Sequence, residues 1–359
     1  MEKQVPLTTA TVSAAAPPVA GTAKTQKKFI GYIHNFRGVA IIYVVGAHIL
    51  LNWPAGSVAH RVLDLIFQNS TILFLFIAGY LFQHLSAKFE YGDYLKKKFQ
   101  NVICPYLLLS LPVIVYRVVT QDINGFTLED HPDFGSWPAW EQAGYYLLHG
   151  AHLQQLWFIP MIALYYLIAP VLLYIDRKPV LYYVLIPLIV LSLVVQRSTL
   201  SDTLTMAVHF LSVYVFGMFM SRYKEQYLAF ARKYAALVTL LPLAVLALNY
   251  FADQRFYDPL DYTHKMLFCC FYIYWLWRLE KYMPRFIDVL AVLSFGIYFV
   301  HYFFVLFLRG AYQKVFHEQI PGNMLYWTVC LVIVMLLSVW TLQLARRVLG
   351  GKSKYLVGC

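Results

Sequence analysis

Residues Tyr32–His48 read YIHNFRGVAIIYVVGAH, a polar start that runs into an apolar stretch. Arg37 lies at the edge of that stretch, and His48 lies inside it, eleven residues further on. On an α-helix this step turns roughly 1100°, three full turns and about 20°, so both side chains share one face, about 16.5 Å apart along the axis. The spacing predicts a helix with an arginine and a histidine along one side.

The composition is that of a membrane protein. Of the 359 residues, 60% are hydrophobic and 13% are charged, whereas an ordinary soluble domain carries about 25% charged residues. Ten apolar segments are each close in length to the roughly 20 residues that an α-helix needs to cross a bilayer. Their bounds are Gly38–Trp53, Val62–Phe82, Val102–Val119, Leu156–Ile175, Pro179–Val195, Thr203–Met220, Ala235–Ala252, Tyr262–Leu279, Asp288–Leu308 and Met324–Ala345. The sequence predicts an all-α, polytopic protein with about ten transmembrane helices, multi-pass in the cell (inner) membrane.

The basic residues are distributed unevenly between these segments. With the N-terminus in the cytoplasm, 21 of the 29 Lys and Arg residues fall on the inside and six on the outside, Lys265 among the latter at the outer start of the eighth segment. This follows the positive-inside rule and predicts that both termini are cytoplasmic. The predicted organisation is a disordered cytoplasmic tail over residues 1–28, a membrane domain over 29–348 and a cytoplasmic C-terminal tail over 349–359.

Two kinds of ligand are not expected. The net charge of +11 comes without a basic arm or an aromatic RNA-binding motif, so the sequence predicts no nucleic-acid partner. The five cysteines form no C-x-x-C pair, so it predicts no metal site.

The connection over residues 120–155 is the long outer loop of this topology. It carries five acidic residues and no Lys or Arg, together with Trp137 and Trp140. Acidic and aromatic side chains together bind sugars, through hydrogen bonds to hydroxyls and through ring stacking. Trp137 and Trp140 are therefore candidate substrate-binding residues, and the alternative is an aromatic belt at the membrane interface.

Further motifs follow the Arg37–His48 pair in chain order. They are FLFIAGYLF at Phe74–Phe82, YLKKKFQNVICPY at Tyr94–Tyr106, LWFIPM at Leu156–Met161 and SFGIYFVHY at Ser294–Tyr302. Their order and placement resemble the acyltransferase 3 family of integral-membrane acyltransferases, which O-acylate sugars of surface polysaccharides and related glycans. The chain departs from the family pattern at Asn35, where aspartate is common, and at Lys98 and Asn101, where the family usually has two arginines.

The resemblance implies an acyl-CoA donor, with acetyl-CoA as the default and succinyl-CoA as the alternative. Arg37, Lys96, Lys97 and Lys98 lie on the predicted cytoplasmic side and are the candidates to bind the donor's phosphates, because cationic side chains bind phosphate strongly. Trp157 is a candidate to line the mouth of the donor site. The alternatives are a charge that extends to the membrane surface for Arg37 and an interfacial anchor for Trp157.

The predicted catalytic residues are His48, Arg37 and His301. His48 would act as general base on the acceptor hydroxyl or take the acyl group itself, and an ionisable group at bilayer depth is usually functional. His301 and Tyr298 share a helix face, where His301 would orient His48 or polarise the thioester and Tyr298 would bind substrate. The alternative for His48, His301 and Tyr298 is packing through hydrogen bonds between helices.

The predicted acceptor is a glycan or a lipid-linked sugar, with membrane lipids and polysaccharide-assembly proteins as further partners. A secondary transporter with buried histidines as proton relays is the competing class. It explains neither the cytoplasmic lysine run nor its alignment with Arg37 and His48, and the sequence shows no matched pair of broken spans. A third class, a non-catalytic scaffold, would tolerate His48→Ala.

Overall fold

The computed structural model describes residues 30–195 and 202–359, and helices form most of this part of the chain. Helices satisfy every backbone polar group within one segment, as a bilayer requires. The α-helices are α1 (Gly31–Ala47), α2 (Val58–Phe67), α3 (Thr71–His84), α4 (Tyr91–Lys98), α5 (Cys104–Thr120), α6 (Gly125–Asp130), α7 (Ala139–His149), α8 (Phe158–Leu167), α9 (Ala169–Arg177), α10 (Leu185–Val194), α11 (Thr203–Arg222), α12 (Lys224–Lys233), α13 (Ala235–Phe251), α14 (Tyr257–Arg278), α15 (Arg285–Phe316), α16 (Met324–Leu349) and α17 (Ser353–Leu356). The predicted N-terminal tail, residues 1–28, lies outside the described residues.

Five helical segments of the described chain are long and apolar enough to cross a membrane. They are Val58–His84, Tyr91–Thr120, Thr203–Arg222, Arg285–Phe316 and Met324–Leu356. Two bent helix pairs, α8 with α9 (58°) and α12 with α13 (89°), raise the number to seven if each pair is one span. The remaining predicted spans fall on α1, on Pro179–Val194 and on α14. The count of ten and the cytoplasmic position of the termini stay predictions.

The first span is shifted from its predicted position. Helix α1 covers Gly31–Ala47 rather than Gly38–Trp53. The chain leaves the helix because the residues after it pair with a distant segment: the Asn52 amide donates to the Ile320 carbonyl at 2.9 Å, and the Gly322 amide donates to the Asn52 carbonyl at 2.7 Å. The end of α1 is therefore fixed by tertiary contacts and not by its apolar sequence.

Helix α1 lies inside the bundle, where it contacts α2, α3, α14, α15 and α16. Helices α3 and α11 approach each other most closely, at two glycines. A Cβ on Gly79 would lie 2.0 Å from the carbonyl oxygen of Tyr214, and a Cβ on Gly217 would lie 2.1 Å from that of Phe76. Small residues allow helix backbones to pack this closely in a membrane.

We expect Gly79→Ala to destabilise the protein. The new methyl group must displace the backbone of α11, and overpacking of this kind costs about 1–3 kcal/mol. Gly144→Ala is the matched control, because that helical glycine has nothing within 4 Å of an added Cβ and alanine is the better helix former. Thermal unfolding in detergent should show a lower midpoint for Gly79→Ala alone; equal midpoints would contradict the close contact.

The second span is broken between α2 and α3, and a buried lysine closes the break. Lys265 is 2% exposed, and its ammonium donates to the carbonyls of Leu65 (2.7 Å) and Ile66 (2.5 Å). Asn69, in the left-handed region at φ 55°, donates to the Asp261 carboxylate at 2.9 Å. Lys265, counted on the outer side at the start of the predicted span Tyr262–Leu279, lies within the bundle because α14 begins at Tyr257. There its ammonium satisfies carbonyls at the open end of α2.

Candidate active site

His48 directly follows the last residue of α1. Its backbone amide donates to the Val45 carbonyl at 3.1 Å, which tightens the final turn. Its ring Nδ1 lies 2.7 Å from the Val44 carbonyl oxygen. A carbonyl only accepts hydrogen bonds, so this contact assigns the proton to Nδ1 and makes Nε2 the basic nitrogen of the neutral ring.

His301 lies opposite His48 on α15. It is fully buried, and its Nδ1 lies 2.9 Å from the Ile297 carbonyl oxygen and 2.8 Å from that of Tyr298. Its Nε2 is therefore the accepting nitrogen, and it lies 3.5 Å from His48 Nδ1. The two rings meet edge to face with centroids 5.1 Å apart. His301 is thus placed to accept a long hydrogen bond from the Nδ1–H of His48.

Arg37 contacts the same helix. Its guanidinium donates to Ser294 Oγ at 2.9 Å, and the buried Ser294 hydroxyl donates onward to the Ala291 carbonyl. Ser294 and His301 are seven residues apart on α15, about two turns, so Arg37 and His48 both face one side of that helix. The two residues of the predicted pair thus contact the same neighbouring helix, although His48 itself lies just past the end of α1. The guanidinium points into the bundle rather than out to the membrane surface.

The three predicted donor-binding lysines lie in two environments. Lys98 is half-buried, with its ammonium over the rings of Tyr166 (4.6 Å) and Tyr94 (5.4 Å), in the geometry of cation–π contacts. Lys96 and Lys97 are exposed. Within the described residues, neither Lys98 nor Arg37 forms an ion pair with a carboxylate.

Two other predicted site residues, Trp157 and Tyr298, are buried in the bundle. Trp157 is 5% exposed and stacks on Phe210 with ring centroids 5.9 Å apart, so it is no interfacial anchor. It lines a small cavity of about 100 Å³ together with Tyr302. The hydroxyl of Tyr298, on α15, donates to the Gln155 carbonyl at 2.6 Å. This hydrogen bond ties α15 to the segment that precedes α8.

The segment before α8 is held by buried polar contacts. Arg117 Nε donates to the His152 carbonyl at 2.6 Å, and Nδ1 of His152 lies 3.0 Å from the Tyr146 carbonyl oxygen. Burial lowers the pKa of His152 to about 4, so this ring is neutral at neutral pH and serves as a hydrogen-bond donor within the segment. Its neighbour Gln154 accepts a hydrogen bond from the Tyr302 hydroxyl at 3.0 Å.

The predicted substrate-binding tryptophans lie elsewhere on the outer loop. Trp137 packs against Phe134 and Tyr145, and its indole donates to Asp133 at 3.1 Å. Trp140 is 74% exposed. Neither residue lines the cavity of Trp157 and Tyr302 or the larger cavity that follows α1.

A larger cavity, of about 240 Å³, lies at the end of α1. Its wall includes Ala47 and Ile49, the residues on either side of His48. Beside the ring of Phe67, the wall holds two tryptophans and a histidine, two charged residues and four side-chain amides. They are Trp53, His60, Trp327, Asp64, Arg309, Asn52, Gln68, Gln154 and Gln319.

A family model described as an acyltransferase domain, of the acyltransferase 3 type, matches residues 30–343. The chain belongs to the acyltransferase 3 family. This acyltransferase 3 protein matches no curated protein and no solved structure. Membership makes the chain a membrane acyltransferase and gives no support to the transporter interpretation.

The acyltransferase 3 motifs identified His48 and His301 but not the residues of the larger cavity. Of the residues in that wall, Trp53, Gln154, Arg309 and Trp327 belong to none of these motifs. They come from four separate segments of the chain, and no spacing or local motif relates them. Only the packing of the helix ends brings them to one cavity.

Proposed function

We propose that this acyltransferase moves an acyl group, acetyl by default, from cytoplasmic acyl-CoA to a hydroxyl of a surface or lipid-linked sugar. The observation that carries the proposal is the His48–His301 pair, 3.5 Å apart between Nδ1 and Nε2, beside a cavity walled by Ala47 and Ile49. A base oriented by a second group is the arrangement that activates a weak nucleophile such as a hydroxyl.

His48 Nε2 takes the proton of the acceptor hydroxyl as the hydroxyl oxygen attacks the thioester carbonyl carbon. The tetrahedral intermediate then expels the CoA sulfur, and the proton passes from Nε2 to that sulfur, which restores neutral His48 and yields the ester and free thiol. The imidazolium formed in between keeps its Nδ1–H toward His301 Nε2 and the Val44 carbonyl, both of which accept. These acceptors stabilise the charged ring in the transition state.

The same geometry supports the alternative in which His48 carries the acyl group. Nε2 would attack the thioester carbon directly, the thiolate would leave, and the acceptor hydroxyl would then displace the imidazole. Both routes use Nε2 as the reactive atom and both leave His301 as the positioning residue. They differ in whether thiol is released before the acceptor binds.

The donor would lie along the face that α1 presents to α15. Arg37 and Lys98, both without a carboxylate partner in the described chain, would meet the phosphates, and exposed Lys96 and Lys97 would add charge at the entrance. An ideal helix would place Arg37 and His48 about 16.5 Å apart along its axis, and α1 covers all of this interval except His48 itself; such a span suits the long, thin pantetheine arm between phosphates and thioester. The acceptor, delivered by polysaccharide-assembly proteins in the inner membrane, would approach from the other side.

The test is acetyl-CoA turnover by the purified protein reconstituted in lipid. Thiol release and acetylated product are measured with a crude glycan extract of the producing cell as acceptor, with succinyl-CoA in parallel. We expect acceptor-dependent thiol release, and an Arg37→Gln variant with a raised KM for acetyl-CoA. Arg285→Gln, an exposed arginine at the start of α15, is the matched control. A wild-type protein that neither binds nor turns over acyl-CoA would overturn the proposal.

A further inference from the structure

We propose that the 240 Å³ cavity at the end of α1 is the acceptor site, and that Arg309 selects acceptors that carry an anionic group. This inference rests on the proposed function. The ligand class is a sugar with a carboxylate or a phosphate substituent.

The cavity has ring faces and hydrogen-bonding groups suited to a sugar. Trp53 stacks on His60 with centroids 5.2 Å apart and planes 10° apart, and Trp327 packs on Phe67 at 4.8 Å. Aromatic walls with a few placed polar groups are typical of small-molecule sites. Gln68 is already oriented, because its side-chain amide donates to the Ala47 carbonyl at 3.3 Å.

The rim of the cavity is preformed. Asn52 pairs with the 320–322 segment through two backbone hydrogen bonds. Gly322 lies so close that a Cβ there would be 2.4 Å from Trp53 Cα. A wall held by backbone contacts keeps its shape without a ligand, which lowers the ordering cost of binding.

The charges in the cavity are not equivalent. The Asp64 carboxylate lies 3.4 Å from the His60 ring one turn earlier. Arg309 is exposed and has no carboxylate within ion-pair distance in the described residues. A guanidinium binds carboxylate or phosphate through two parallel hydrogen bonds. The cation is therefore available to a ligand, whereas Asp64 already has a partner.

The position of Arg309 relates the anionic group to the reacting hydroxyl. Arg309 is eight residues from His301 on α15, about 12 Å along the axis. Gln154 connects the cavity to His48. It lines the cavity and accepts a hydrogen bond from the Tyr302 hydroxyl, and the Tyr302 ring lies 5.8 Å from the His48 ring. This distance leaves room for a sugar ring between the anionic group and the hydroxyl that receives the acyl group.

The test measures binding separately from turnover. Equilibrium binding of methyl glucoside, methyl glucuronide and glucose 1-phosphate to the full-length protein in detergent is compared with acetyl transfer to the same three probes. We expect at least about tenfold tighter binding of one or both anionic probes than of the glucoside, as a charge-assisted pair provides. The glucuronide and phosphate arms show which anionic group is preferred. Arg309→Gln should remove the preference.

Lys314→Gln is the matched control, because Lys314 is an exposed cation on the same helix and does not line the cavity. It should keep the preference for anionic probes. Equal binding of neutral and anionic probes by wild type, or a preference that survives Arg309→Gln, would overturn the inference even if transfer occurs. An Arg309-dependent binding preference without thiol release would support the anion site and overturn the proposed acyl transfer. Failure of the anion site and failure of the acyl transfer therefore give different results.

Discussion

His48→Ala is expected to reduce acyl transfer by about 10²- to 10⁴-fold, the usual contribution of a positioned general base. The variant loses Nε2, the one nitrogen of the ring that can accept the hydroxyl proton when Nδ1 faces the Val44 carbonyl at 2.7 Å. It keeps Arg37 and the lysines, so acyl-CoA should bind with unchanged affinity. The measurement is thiol release from acetyl-CoA under single-turnover conditions, with binding measured in parallel.

His317→Asn serves as the matched histidine control. This exposed residue ends α15 at φ 57°, a conformation that asparagine tolerates, and it touches neither cavity. It should turn over like wild type. A folded His48→Ala protein with the wild-type rate would remove His48 from the chemistry; it would also leave the histidine pair as a packing feature.

The second large effect is expected on stability. Lys265→Met should lower the free energy of unfolding by at least about 3 kcal/mol, as does removal of one partner of a buried charged network. Methionine fills similar space but leaves the Ile66 carbonyl without its donor and the Leu65 carbonyl with the His264 ring alone, whose Nε2 lies 3.1 Å away. The nearby Asp261 would also lose its positive neighbour. The break between α2 and α3, which places Gln68 against the end of α1, would lose its anchor.

Thermal unfolding in detergent checks this prediction, with a decrease in midpoint of more than about 5 °C expected. Lys281→Met, an exposed lysine just after α14, is the control and should unfold like wild type. If both variants unfold at the wild-type temperature, the Lys265 ammonium makes no net contribution to the stability of the broken span. Activity should fall with the midpoint, because the residues flanking His48 depend on the same break.

The sequence by itself determined the class of fold and the family. Membrane insertion depends on local composition, since about 20 apolar residues in a row cross a bilayer wherever they occur. That Arg37 and His48 face the same side was also readable, because α1 covers every residue between them and helical pitch sets the directions along it. The motif order was sufficient for the family, which the match over residues 30–343 confirms.

The tertiary structure alone decided which groups surround His48. His301 is 253 residues away in sequence, and the cavity wall draws on residues from Gly46 to Trp327. The end of α1 at Ala47 follows from the pairing of Asn52 with Ile320. Apolar helices are alike in composition, so their sequences do not specify which of them become neighbours. Contacts made by helix ends and by a buried lysine therefore appear only once the whole bundle is packed.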